Sequence, residues 1–222
     1  IEKRYIREDG SMLWGQMTAS LISREDNIPR FVLGMVEDVS ERHNAEEAIR
    51  QRDLGIREAY TQVIAAVTGG RLVLMGTDEI DSELGVEIWS NDAIRSPRLF
   101  SGARHRLGGV LSERFRDSRD ADELVLAAGE AMMNALRYGG EARLRVLQKD
   151  GLLQVEVSDD GPGIDFANLP KATLIPGYSS TTSLGMGFTI MLAECDRMLL
   201  ATGSSGTRVV MEARYCAAES AA

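Results

Sequence analysis

Between Pro97 and Ser158 the hydrophobic period of this chain switches from helical to extended, and that switch restricts the fold more than any other feature. Pro97 stands where a proline is tolerated, in the first turn of an amphipathic helix expected over residues 97–115. A second helix is expected over 120–138, where Leu124, Ala127, Ala131, Ala135 and Leu136 can bury one face. Two strands follow, over 141–149 and 152–158, turned at Asp150-Gly151, and Leu153, Val155 and Val157 alternate along the second. Further on come a helix over 185–193 and a hairpin of residues 197–202 and 207–213 around Gly203-Ser204-Ser205-Gly206. Ahead of Pro97 the pattern gives a strand at 71–75, a helix at 78–84 and a strand at 86–89. Helices and antiparallel strands in this succession stack as an α+β two-layer sandwich, a mixed sheet covered by helices.

The first 69 residues follow another rhythm. Residues 1–40 alternate as three short strands, with turns at Glu8-Asp9-Gly10-Ser11 and at Asp26-Asn27, and a meander of that size is marginal in water without a partner surface. Residues 41–69 are a helix whose start Ser40 is suited to cap, which Gly55 interrupts and which the Gly69-Gly70 pair ends. Residues 215–222 form an Ala-rich tail. The opening Ile1-Glu2-Lys3-Arg4 reads as mid-domain sequence, which points to chain missing upstream. A net charge of −9 argues against nucleic acid as the main partner. No apolar run reaches a membrane span and no signal peptide is read, while Cys195 and Cys216 have neither metal nor disulfide spacing, so a reducing cytoplasm is expected.

Three stretches carry candidate chemistry. On the second helix Glu130 and Asn134 lie four apart and share a face. An Asn oxygen suits Mg²⁺, and a carboxylate one turn earlier can accept a proton; by itself the pair also fits a solvated helix face. Asp159 ends the alternating strand and opens onto Gly161-Pro162-Gly163, where a missing Cβ permits close approach and a buried carboxylate requires a hydrogen-bond partner. Gly185-Met186-Gly187 precedes a helix whose first amides can receive phosphates, and the polar run 178–183 before it suits a lid.

In this order the stretches resemble the N, G1 and G2 boxes of the GHKL ATPases, over roughly residues 70–214. The resemblance implies a Bergerat-type sandwich that binds ATP and Mg²⁺. Glu130 would be the catalytic base, Asn134 the metal ligand and Asp159 the acceptor of the adenine amine. Gly161, Gly163, Gly185, Met186 and Gly187 would complete the nucleotide pocket, with Thr207 assisting Asp159 and Arg137 facing the phosphates. Arg7-Glu8-Asp9-Gly10-Ser11, Trp14 and Glu37-Asp38-Val39-Ser40-Glu41-Arg42 resemble the closing strands of a PAS domain, here truncated. The helix over 41–69 would then be a connector and dimer seam through Ile49 and Ile56.

Glu123-Leu124-Val125-Leu126-Ala127 and Gly177-Tyr178-Ser179-Ser180 with Leu184-Gly185-Met186-Gly187-Phe188 are similar to the anti-sigma-factor serine kinases. That likeness implies a PAS-regulated homodimeric kinase acting on a Ser or Thr of a STAS-domain antagonist, with a sigma factor as another partner. Two alternatives stay open. One is an atypical histidine kinase, paired with a response regulator and using His43 or His105, although neither histidine sits in an acceptor box. The other is a switch that binds nucleotide and partner without transfer.

Overall fold

A computed structural model describes residues 1–23, 29–115, 117–165, 168–169, 171 and 186–215. The chain divides into two compact units, Ile1–Glu58 and Ala59–Ala222.

In the first unit, strands β1 (Glu2–Ile6), β2 (Met12–Ser23) and β3 (Pro29–Asp38) form an antiparallel meander in the order β1-β2-β3. Gly10, at φ +83°, makes the first turn, and Asp9 accepts the amide of Ser11 there. The expected turn at Asp26-Asn27 lies outside the described residues. Opposed pairs on one face include Leu21 with Val32, and on the other Ile22 with Phe31; all four are exposed. Helix α1 (Ser40–Val67) follows at once.

The start of α1 differs from the sequence expectation. Asp38 accepts the Ser40 amide at 3.0 Å, whereas the Ser40 hydroxyl oxygen is taken by the Trp14 amide at 2.9 Å. Strand β3 ends in the carboxylate at the right spacing, so the helix is capped from the strand side and Ser40 is left to tie β2. The His43 ring stacks on Trp14 at 4.0 Å, and the Arg4 guanidinium lies 5.9 Å from the Trp14 ring. Gly55 does not interrupt α1. One glycine costs a helix only about 1 kcal/mol, and the surrounding Arg, Leu, Ala and Gln residues favour continuation. Gly69 and Gly70, both at positive φ, follow its end.

The second unit is a six-stranded mixed sheet in the order β4-β8-β9-β7-β6-β5. Its strands are β4 (Leu72–Met75), β5 (Val86–Ile94), β6 (Ala142–Lys149), β7 (Leu152–Asp159), β8 (Arg197–Gly203) and β9 (Gly206–Arg214). Among the described residues only β4 and β8 pair in parallel. With helices α2 (Thr77–Glu83), α3 (Pro97–Ser112), α4 (Ser118–Gly139) and α5 (Gly187–Ala193) the sheet gives the expected α+β sandwich. Strand β5 runs five residues past its expected end at Trp89, with one register shift just before that point, between Glu87 and Trp89, and another in the extension, between Asn91 and Ile94, where Ala93 is at φ +61°. Those bulges break the period-two pattern that would have revealed it.

The two faces of this sheet are built differently. Leu144, Val146, Leu153, Val155, Val157, Met198, Leu200, Val209 and Met211 form one face and pack with α3, α4 and α5 in the main core. Leu107 and Leu111 of α3 and Leu124, Ala127, Ala131 and Ala135 of α4 supply the helix side, all buried. On the outer face a small cluster of Leu199, Ala201 and Val210 receives Ile80 of α2. Beside it the outer face carries a group of buried polar residues. Glu156, almost fully buried, accepts Arg145 Nε at 2.6 Å and Arg208 Nε at 2.8 Å, while buried Gln154 donates to Glu212 at 2.8 Å. Arg71 donates to the carbonyl of Cys195 at 2.7 Å and to that of Leu192, which holds the C-terminal end of α5 against the start of β4. Among the described residues no helix is long and apolar enough to cross a membrane.

Candidate functional site

Helix α4 carries the first candidate residues because its apolar face locks its rotation. With Leu124, Ala127, Ala128, Ala131 and Ala135 buried, Glu130 and Asn134 stand at the margin, each partly exposed on a shared face. Asp117 caps the start by accepting the Arg119 amide, and Gly140, at φ +75°, ends the helix in the left-handed region.

The first residue of α5 comes directly onto that pair. A Cβ on Gly187 would lie 3.2 Å from Asn134 Nδ2 and 3.5 Å from Glu130 Oε2, so the backbone of α5 touches both side chains. Two stretches more than fifty residues apart in sequence therefore meet at one point. Met186, before this helix, is half exposed. Gly185 and the run 178–183 expected as a lid lie outside the described residues.

At the C-terminal end of α4, a little beyond that pair, Asp159 is held by close backbone approach. A Cβ on Gly139 would sit 2.6 Å from Asp159 Cβ, and one on Gly161 would sit 2.8 Å from Asp159 Oδ1. The Gly161 amide donates to Asp159 Oδ1 at 2.8 Å. Burial pushes the Asp159 carboxyl above the ordinary carboxylate range, against the opposing pull of the Gly161 and Thr207 amides. An acid of that kind gains from a further hydrogen-bond donor, such as an exocyclic amine.

Thr207 lies directly opposite Asp159 across the β7–β9 pairing. Its hydroxyl is 3.2 Å from that of Thr202, which in turn accepts the Ile164 amide at 2.7 Å. Gly163, at φ +73°, crosses β8 so closely that a Cβ would be 2.1 Å from the Gly203 carbonyl oxygen. Arg137 is exposed one turn beyond Asn134.

The structure thus gathers Glu130, Asn134 and Gly187 at one place and Asp159, Gly161, Gly163 and Thr207 at another. Along α4, Gly139, which meets Asp159, lies five residues from Asn134 and nine from Glu130, about 8 and 14 Å at ~1.5 Å per residue. Gly139 and Thr202 belong to this arrangement and were not singled out in the sequence. Gly139 reads there as a helix end, and Thr202 as the last residue of an apolar strand.

Residues 95–213 match the family model described as the histidine kinase-like ATPase domain. That span is more than half of the chain. The chain belongs to the histidine kinase-like ATPase family. Its similar curated proteins are anti-sigma F factors. The one from Clostridium acetobutylicum is 31% identical over 128 residues, covering 54% of this chain and 87% of that protein. The one from Geobacillus stearothermophilus is 26% identical over 123 residues, covering 52% of this chain and 84% of that protein. Among solved structures, the SiaB–SiaC complex from Pseudomonas aeruginosa aligns at a TM-score of 0.45 and 12% identity, over 61% of this chain and 94% of that chain. ATP is the ligand that membership of this ATPase family implies.

Proposed function

We propose that the chain is an ATP-dependent protein kinase of the anti-sigma-factor type that phosphorylates a Ser or Thr of a STAS-domain antagonist, with a sigma factor as a further binding partner. The observation that carries this reading is the meeting of Gly187 with Glu130 and Asn134, in the same half of α4 whose C-terminal Gly139 meets Asp159. Asp159 accepts the adenine amine, with Thr207 beside it, and the missing Cβ atoms of Gly161 and Gly163 leave the loop close to the sheet. Gly185, Met186 and Gly187 receive the phosphates through backbone amides, and Arg137 neutralises charge from α4. Asn134 is the protein ligand for Mg²⁺, whose bound form would neutralise charge on the phosphates. Glu130 takes the proton of the attacking hydroxyl.

The meander fits the closing part of a PAS domain that regulates the kinase. On α1, Ile49, Ile56 and Val63 are exposed at seven-residue intervals, as suits a seam in a cytoplasmic homodimer. The ring of His43 is stacked on Trp14, which favours the serine or threonine reading over a histidine acceptor at that position.

The test is transfer of label from Mg²⁺ and γ-labelled ATP to a cognate STAS protein. Glu130→Gln is expected to slow transfer by at least about a hundredfold while ATP still binds. Transfer at the wild-type rate in that variant would remove Glu130 as base. Acid-labile, alkali-stable label on the chain itself would replace the reading by a histidine kinase.

A further inference from the structure

The outer face of the large sheet holds a cleft of about 460 Å³ on the side away from α3, α4 and α5. Its floor is a cross-strand row. Arg143 of β6 is directly opposite Ser158 of β7, and Ser158 is directly opposite Arg208 of β9. Strands lie about 4.8 Å apart, so the two arginines stand roughly 10 Å from each other with the hydroxyl between them, close enough for their side chains to converge above it. Three donors on three strands match the oxygens of a tetrahedral oxyanion better than the two of a carboxylate.

Each guanidinium already has an internal partner, and these partners are unequal. Arg208 is oriented from beneath by buried Glu156 and from the rim by Asp81 at 2.8 Å. Arg143 bonds both oxygens of Asp160, one at 2.7 Å. The rim acids are exposed, with Asp160 at 71% and Asp81 at 65%, so their pairs are solvent-screened and contribute little. Glu156 at 2% is fixed and keeps Arg208 and Arg145 aimed into the cleft. The buried acid thus preorganises the arginines while the exposed acids are replaceable.

We propose that Arg143, Ser158 and Arg208 form a binding site for a phosphate-class dianion, which enters by displacing Asp160 from Arg143. The site is on the face of the sheet away from Glu130 and Asn134, Asp159 alone being shared with its rim, and it does not depend on the nucleotide reading. A free phosphate and a phosphorylated protein side chain offer the same chemistry.

Isothermal titration of the full chain with inorganic phosphate tests the site. Asp160→Asn removes the internal competitor from an exposed position and is expected to tighten binding about tenfold. Arg143→Gln is expected to abolish it. Arg137→Gln, an exposed position on α4 at the nucleotide side, is expected to leave phosphate binding unchanged, and this arm separates the cleft from the nucleotide pocket whether or not ATP binds there. A phosphoserine peptide that binds more tightly than phosphate, with the same dependence on residues 143 and 160, assigns the ligand to a phosphorylated protein; equal or weaker binding assigns it to the free ion. Asp160→Asn binding no more tightly than wild type, or Arg143→Gln binding as well, would overturn the proposal.

Discussion

Leu144 and Arg145 are neighbours on β6, and they face two different kinds of interior. Leu144 is fully buried beneath the helices among aliphatic side chains. Arg145 lies on the other face, where it shares the nearly inaccessible carboxylate of Glu156 with Arg208. The helix-covered face is held by volume, with close packing and removal of apolar surface from water. The outer face is held by fixed charges that satisfy one another, as buried polar groups must be. One strand thus serves two cores, and the alternation of its side chains keeps them apart.

Substitutions can break this contrast. Leu144→Ala should have the largest effect, a loss of about 2–5 kcal/mol in urea denaturation that salt leaves nearly unchanged, because it opens a cavity and alters no charge. Glu156→Gln should cost less, about 1–3 kcal/mol, by leaving Arg145 and Arg208 without their shared anion. Part of that loss should disappear at high ionic strength, where repulsion between the two guanidinium groups is screened. An equal response of both variants to salt would mean that the outer face is also held by packing alone.

The smallest change sharpens the contrast at the edge of the helix-covered face. The folded pKa of Asp159 is raised by burial, so its ionised form costs stability once the pH exceeds the ordinary carboxylate range. Asp159→Asn should therefore raise the melting temperature slightly at pH 7 and have no effect near pH 3, where the carboxyl is protonated whether the chain is folded or not. A lower melting temperature at pH 7 would show that the amide bonds from Gly161 and Thr207 outweigh burial.

Much of this architecture was legible because local signals agreed. The apolar residues of α4 recur at helical spacing, those of β7 alternate, and Asp150-Gly151 turns one strand into the next with both residues at positive φ. Glu130, Asn134 and Asp159 could be picked out because the three stretches occur in the order of the GHKL boxes; the Glu130–Asn134 spacing alone also fits a solvated helix face. What escaped was set by tertiary contact. The extension of β5 is hidden by its bulges, and the cap of α1 was given to Ser40 because the tie between its hydroxyl and Trp14 spans 26 residues. The need for glycine at position 139 comes from the approach of Asp159, twenty residues further on.

The pairing of β4 with β8 also has a kinetic consequence. Leu72 is placed beside Met198 in a parallel ladder, while β6–β7 and β8–β9 are joined by tight turns. Closing a loop of more than a hundred residues carries a larger entropic cost than closing a hairpin, and non-local pairing of this kind slows folding. Strand β4 should therefore join last, after the hairpins have formed. Glu130, Asn134, Asp159 and Thr207 all belong to elements that precede it on this route, so the candidate site takes shape while one edge of its sheet is still open.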